Sequence, residues 1–249
     1  MKRLFSFLLV LLAAGVSVSA RDVSKAALGS VQYEVRYLWG GINSKVADAT
    51  ISLEEGSWGS QTAYHSHVVI RANSIFRLFM SADYLVDSYL SKPGREPLYF
   101  INPVKRNGQN GKYEYIYDKA AKEIRSNTVL PPEAPVKATF PLDGKTMDLV
   151  SLLQYVRFQD IPSGGKQSMH VLMVGHSIAG TLFNEGNDTE RYPGKTAERF
   201  RLKLTERGLM KNGAGKEIVV WCSTGTDRRI LGLEVALSDS STMVVTIAE

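Results

Sequence analysis

Cysteine is nearly absent. Cys222 is the only one in 249 residues, so no internal disulfide can form and stability must come from a packed core. It sits in the apolar run Ile218-Val219-Val220-Trp221-Cys222. With no activating base beside it in sequence, a small buried hydrophobe is expected there, not a nucleophile. Long apolar runs are also scarce. One covers residues 4–16 and no second follows, whereas a membrane-spanning helix needs about 20 apolar residues. Concentrated charge is missing too. Without Lys2 and Arg3 the 30 basic residues fall to 28 against 25 acidic ones, and the net charge from +5 to +3. The basic residues are scattered, which excludes the dense positive patch of a nucleic-acid binder. There is no internal repeat and no low-complexity segment.

What is present begins with the first twenty residues. Lys2-Arg3 precedes the apolar run, and Val18-Ser19-Ala20 supplies a small-x-Ala step before Arg21. That pattern predicts a secretory signal peptide over residues 1–20, cleaved from the mature chain. No cysteine flanks the cleavage point, so a lipid-modified amino terminus is not expected. The remainder, 21–249, is read as a single β-rich domain exported to the periplasm or cell envelope of a Gram-negative bacterium. Pro131-Pro132-Glu133-Ala134-Pro135 resembles a linker, but strands alternate alike on both sides, so an ordered crossover is expected.

The dominant period is two. Val31, Tyr33, Val35, Tyr37 and Trp39 alternate with polar residues, and so do Ala47 to Leu53, Tyr64 to Ala72, Tyr113 to Tyr117, Phe200 to Leu204 and Leu231 to Leu237. Such alternation marks strands with one buried and one solvated face. Gly40-Gly41, Gly56, Asn107-Gly108, Asn110-Gly111, Asp143-Gly144, Gly164-Gly165, Asn212-Gly213 and Gly225 are read as the turns between them. Two stretches break the period. Residues 74–80 suggest a short helical turn. Residues 146–158, with Leu149, Leu152, Leu153 and Val156 in a stripe, predict the main helix, capped by Thr146 or Asp148. The expected fold is mainly β: an antiparallel, strongly curved sheet or open half barrel packed around one main α-helix.

Three constellations could carry chemistry. Gly175-His176-Ser177-Ile178-Ala179-Gly180 resembles the Gly-x-Ser-x-Gly elbow of serine hydrolases, but no amphipathic helix and no histidine follow Ser177, as that architecture requires. His65 and His67, two apart on a strand, share a face and could begin a metal site if His170 or His176 supplied a third ligand; a solvent-facing pair without metal is the expectation. The aromatic residues suggest more. Tyr33, Tyr37, Trp39 and Tyr115 are the candidate ligand-binding residues, on the reading that they line a concave aromatic surface. Cross-strand packing competes with that reading. No catalytic set and no cofactor motif is found.

The order of motifs resembles a bacterial family catalogued as domain of unknown function 3108. Val31-Gln32-Tyr33-Glu34-Val35-Arg36-Tyr37 leads to Trp39-Gly40-Gly41-Ile42, then to Lys45-Val46-Ala47-Asp48-Ala49-Thr50-Ile51 and Ser74-Ile75-Phe76-Arg77-Leu78-Phe79. Asp87-Ser88-Tyr89-Leu90, Glu96-Pro97-Leu98-Tyr99-Phe100, Tyr113-Glu114-Tyr115-Ile116-Tyr117-Asp118 and the helix from Asp148 to Arg157 follow. Ile218-Val219-Val220-Trp221 and Arg228-Arg229-Ile230-Leu231 close the set. The resemblance implies an exported β-rich protein and supplies no catalytic residues. The functional expectation is therefore a cell-envelope protein that binds or carries a lipophilic ligand without catalysis. The alternatives are a solid-core interaction or structural module whose partner is another envelope protein, and, more weakly, a serine hydrolase using Ser177.

Overall fold

The computed structural model describes residues 23–73, 84–92, 95–106, 108–205, 217–238 and 240–248. The signal peptide expected over 1–20, the helical turn expected over 74–80 and the turns expected at Asn107 and Asn212-Gly213 lie outside them.

Among the described residues, fifteen strands and one α-helix follow in order. The first eight strands are β1 (Gly29–Trp39), β2 (Ile42–Trp58), β3 (Gln61–Ala72), β4 (Tyr84–Ser91), β5 (Pro97–Arg106), β6 (Gln109–Asp118), β7 (Glu123–Val129) and β8 (Val136–Pro141). Then come β9 (Thr146–Asp148), α1 (Leu149–Phe158), β10 (Lys166–Met173), β11 (His176–Asp188), β12 (Ala197–Leu204), β13 (Glu217–Ser223), β14 (Ile230–Ser238) and β15 (Ser241–Ile247). All fifteen strands belong to one sheet, in the order β8-β7-β6-β5-β4-β3-β2-β1-β15-β14-β13-β12-β11-β10-β9.

Every strand pairing joins sequence neighbours except that of β1 with β15, Val35 opposite Val245; β8 and β9 do not pair. The two free edges therefore lie in mid-chain, at β8 and β9, joined by residues 142–145 alone. The sheet is more closed than the expected half barrel, nearly completing a barrel. It is also mixed. β9 and β10 run parallel, because α1 between them is a crossover, and a crossover returns the chain in the same direction. The proline-rich run is a connection within the sheet, between the antiparallel strands β7 and β8.

α1 fills the interior, touching β3 and β4 on one side and β10 and β13 on the other. It begins at Leu149, later than the predicted start, because Thr146, Met147 and Asp148 form β9. Asp148 is the cap: its carboxylate accepts from the Ser151 backbone N–H at 2.8 Å, satisfying one of the donors a helix start leaves open. The apolar stripe of Leu152, Leu153 and Val156 meets Tyr33, Val171, Phe200 and Val220 in the main core.

Polar side chains on the helix are satisfied by the barrel wall. Gln154 donates to Ser66 Oγ at 2.8 Å. Arg157, buried, donates to the carbonyls of Arg228 (2.7 Å), Ala27 (2.8 Å) and Asp227 (3.2 Å) and to Gln154 Oε1 (2.8 Å). Arg228 returns the contact to the Arg157 carbonyl at 2.8 Å and pairs with Glu198 at 2.6 Å. A buried cation requires this degree of pairing, since an uncompensated one is costly.

Two of the predicted turns are strand interior. Gly56 lies within β2 opposite Ala63, and Asn110-Gly111 within β6 opposite Lys105 and Val104. At Gly111 a Cβ would collide with the Val129 carbonyl, so glycine there permits close backbone approach rather than a reversal.

Candidate functional site

The four predicted aromatic residues do not share one cavity. Tyr33 is buried; its hydroxyl donates to the Ile230 carbonyl at 2.9 Å, and burial pushes its pKa far up. It borders a cavity of 90 Å³ beside Arg157. Tyr115 is also buried, with its ring stacked on Phe100 at 5.1 Å. Its hydroxyl accepts from the Gly175 N–H at 3.0 Å, and burial pushes its pKa up to about 12. Tyr115 borders a separate apolar cavity of 180 Å³ with Val86, Leu149 and Leu172. Tyr37 packs half-buried against the core, and Trp39, at the strand end, is 53% exposed. The shared face that period two gives these residues holds along β1, but the barrel covers only its middle.

Ser177 lies on β11, straight after the two-residue hairpin Val174-Gly175. Both hairpin residues have positive φ, 52° and 81°, as a primed turn requires. The nucleophile elbow needs a strand entering a helix; here a strand enters a strand. Cys222 is fully buried, and burial pushes its thiol up to about 11 despite the Arg228 and Arg157 guanidiniums beside it.

A feature of mixed chemistry lies at the seam between the free edges. A cleft of 440 Å³ opens there. Leu142 and Gly144 come from the link between the edges, Met147 from β9, Tyr155 from α1 and Gln159 from its C-cap. Arg95 comes from the β4–β5 connection, Pro97 from the start of β5, and Lys119 and Lys122 from the β6–β7 turn. The wall is held by hydrogen bonds. Leu142 N–H donates to the Lys122 carbonyl at 3.1 Å, and Asp143 accepts from Lys145 N–H and the Thr146 hydroxyl at 2.8 and 3.0 Å. Tyr155 donates to Gln167 at 2.5 Å.

Beneath the cleft is a latch. The Tyr117 hydroxyl donates to Asp148 Oδ2 at 3.0 Å and accepts from Asp148 N–H at 2.8 Å. Ser151 donates to the same carboxylate at 2.6 Å and meets Ser88 Oγ at 2.9 Å. This chain ties β4 and β6 to the opposite edge of the sheet. Burial raises the Asp148 pKa above the usual carboxylate value even against the hydrogen bonds from Ser151 and Tyr117.

On the cleft rim stand three cations, Arg95, Lys119 and Lys122, and one carboxylate, Glu96, which pairs with Lys119 at 2.5 Å. The excess is positive. Sequence reasoning did not find this cleft, because many of its residues come from turns and element ends, where no periodicity marks a face.

A second cluster lies on the outer face of β3 and β4. His65 Nε2 and His67 Nδ1 both contact Asp87 Oδ1, at 2.6 and 2.7 Å. The expected shared face of the two histidines is therefore observed, but their neighbour is Asp87 and not His170 or His176. The register that pairs His67 with Asp87 could not be read, since His67 and Asp87 lie on different strands twenty residues apart in sequence.

Residues 32–236 match the family model described as "Protein of unknown function (DUF3108)". No curated protein matches the chain. Among solved structures, the chain is similar to the crystal structure of a beta-barrel-like protein of domain of unknown function DUF1849 from Brucella abortus. Sequence identity is 10%, the TM-score is 0.52, and the match covers 93% of this chain and all of that one. At that identity the likeness concerns the fold.

Proposed function

We propose a function for a chain that belongs to the DUF3108 family: non-enzymatic binding of an amphipathic small molecule with an apolar body and an anionic group. The observation that carries it is the lining of the seam cleft. Leu142, Met147, Pro97 and Tyr155 offer apolar surface, and Arg95, Lys119 and Lys122 outnumber Glu96 on the rim. Sites of this kind join apolar walls to a few placed charges. The barrel interior is a poorer compartment, since α1 and the buried aromatics fill it and its remaining cavities are 90 and 180 Å³. We therefore put the ligand at the seam and leave Tyr33 and Tyr115 to packing. The expected signal peptide makes the envelope the setting.

The test is native mass spectrometry of protein purified from its own host, followed by titration with dodecanoate. One equivalent is expected, weakened in the double variant Lys119→Glu/Lys122→Glu and in Leu142→Trp. Protein that arrives ligand-free and ignores dodecanoate would instead support the solid-core interaction module, which the filled interior favours as a second reading. Amino-terminal sequencing that begins at Arg21 tests the export step, and an uncleaved Met1 would contradict it.

A further inference from the structure

We propose that His65, His67 and Asp87 bind one divalent transition-metal ion of the zinc type on the outer face of the barrel. The proposal is independent of the cleft. Alternate residues on a strand stand about 6.6 Å apart on one face, and the cross-strand partner of one of them completes a triangle. Here His65 and His67 supply the strand pair and Asp87, opposite His67, the third corner. The three ligand atoms lie within 4.8 Å of one another. Ligand atoms about 2.1 Å from a tetrahedral ion are about 3.4 Å apart, so Asp87 Oδ1 withdraws by about 1 Å from each nitrogen and the two imidazole nitrogens, no more than 4.8 Å apart, adjust toward the same spacing. Two imidazoles and one carboxylate with a fourth position open to solvent form a donor set suited to zinc and its neighbours in the first transition row.

Four further observations favour an ion over a plain hydrogen-bonded trio. Among the described residues Asp87 makes no ion pair with a lysine or arginine; its ion-pair partners are the two imidazoles. Both ring nitrogens aim at the same oxygen, Asp87 Oδ1. An ion there takes the place of the two inward N–H groups, and each neutral imidazole carries its proton on the far nitrogen instead. The His65 ring is also fixed. It stacks on Tyr89 at 4.5 Å and 8°, Tyr89 leans on Trp58, and Trp58 stacks on Tyr99 at 4.0 Å. Tyr99 is anchored in turn by donating to Glu114 at 2.7 Å. Preset ligand orientation of this sort strengthens metal sites. Directly across β2 from His65 stands exposed Glu54, a carboxylate on the same face that adds negative charge beside the open position.

Untagged protein, stripped with EDTA and dialysed, is titrated with zinc chloride by calorimetry, and with cobalt(II) by visible absorption. One equivalent of zinc, tetrahedral cobalt bands and a higher melting temperature in zinc are expected. His67→Ala and Asp87→Ala should each weaken binding by more than the roughly 10–100-fold typical of losing an outer-shell partner, whereas His176→Ala should change nothing. Asp87→Asn preserves side-chain shape and serves if Asp87→Ala fails to fold by circular dichroism. Absence of binding in excess zinc, or binding that survives in both Asp87→Asn and His67→Ala, overturns the site.

Discussion

Val174 holds φ at 52° while 49% exposed, a conformation that a β-branched side chain adopts only under strain. Asparagine takes that region readily and suits the first position of a primed hairpin turn. Val174→Asn should therefore raise stability by about 1 kcal/mol, read as a higher urea midpoint with an unchanged slope. Gly175 next to it is a different case. A Cβ there would meet Thr128 Oγ1 at 2.6 Å at φ 81°, so Gly175→Ala should destabilise. Asp148 gives a pH signature. Its folded pKa is raised by burial, so in the window between its ordinary and raised values the folded state holds more protons than the unfolded one. Stability from this group is present at low pH and lost as pH rises through that window. Asp148→Asn cannot titrate. The difference in unfolding free energy, wild type minus variant, should decline with rising pH across the window, and a flat difference would refute the assignment. Cys222, buried and raised, should ignore thiol reagents until the chain unfolds.

At the scale of elements, α1 is held by its polar contacts as well as by its stripe. Arg157→Ala would leave the Arg228 and Ala27 carbonyls buried without donors and should cost about 3–5 kcal/mol, measured by equilibrium unfolding. The helix and its Asp148 cap were legible in the sequence because their signals are local: a 3.6-residue stripe and a carboxylate placed to cap the first turn. The strands were legible for the same reason, as Tyr113, Tyr115 and Tyr117 illustrate by sharing the inner face. The glycines misled where they lie inside strands. Gly56 and Gly111 look like turn residues, yet the reason for glycine at Gly111 is the Val129 carbonyl, which belongs to another strand. Likewise Asp87 carries no mark of its meeting with His65 and His67, since only the register of β3 on β4 creates it.

For the whole molecule, what escaped the sequence is closure. Alternation says that a strand has two faces, not which distant strand lies beside it. Thus the near-complete barrel, the parallel pair at β9 and the seam cleft emerge only when the sheet curls and its edges approach. The pairing of β1 with β15 has a consequence for how the chain folds. Each other hydrogen-bonded neighbour in the sheet is also a neighbour in sequence, so two halves, β1–β8 and β9–β15, can assemble from nearby contacts. Within the sheet, joining them demands one strand pairing of great sequence separation, which is entropically slow to make. Val35→Ala and Val245→Ala, at directly opposed buried positions, should therefore act chiefly by speeding unfolding and leave the refolding rate nearly untouched in stopped-flow chevrons. The barrel would then be zipped shut late, along one line, after both of its walls already stand.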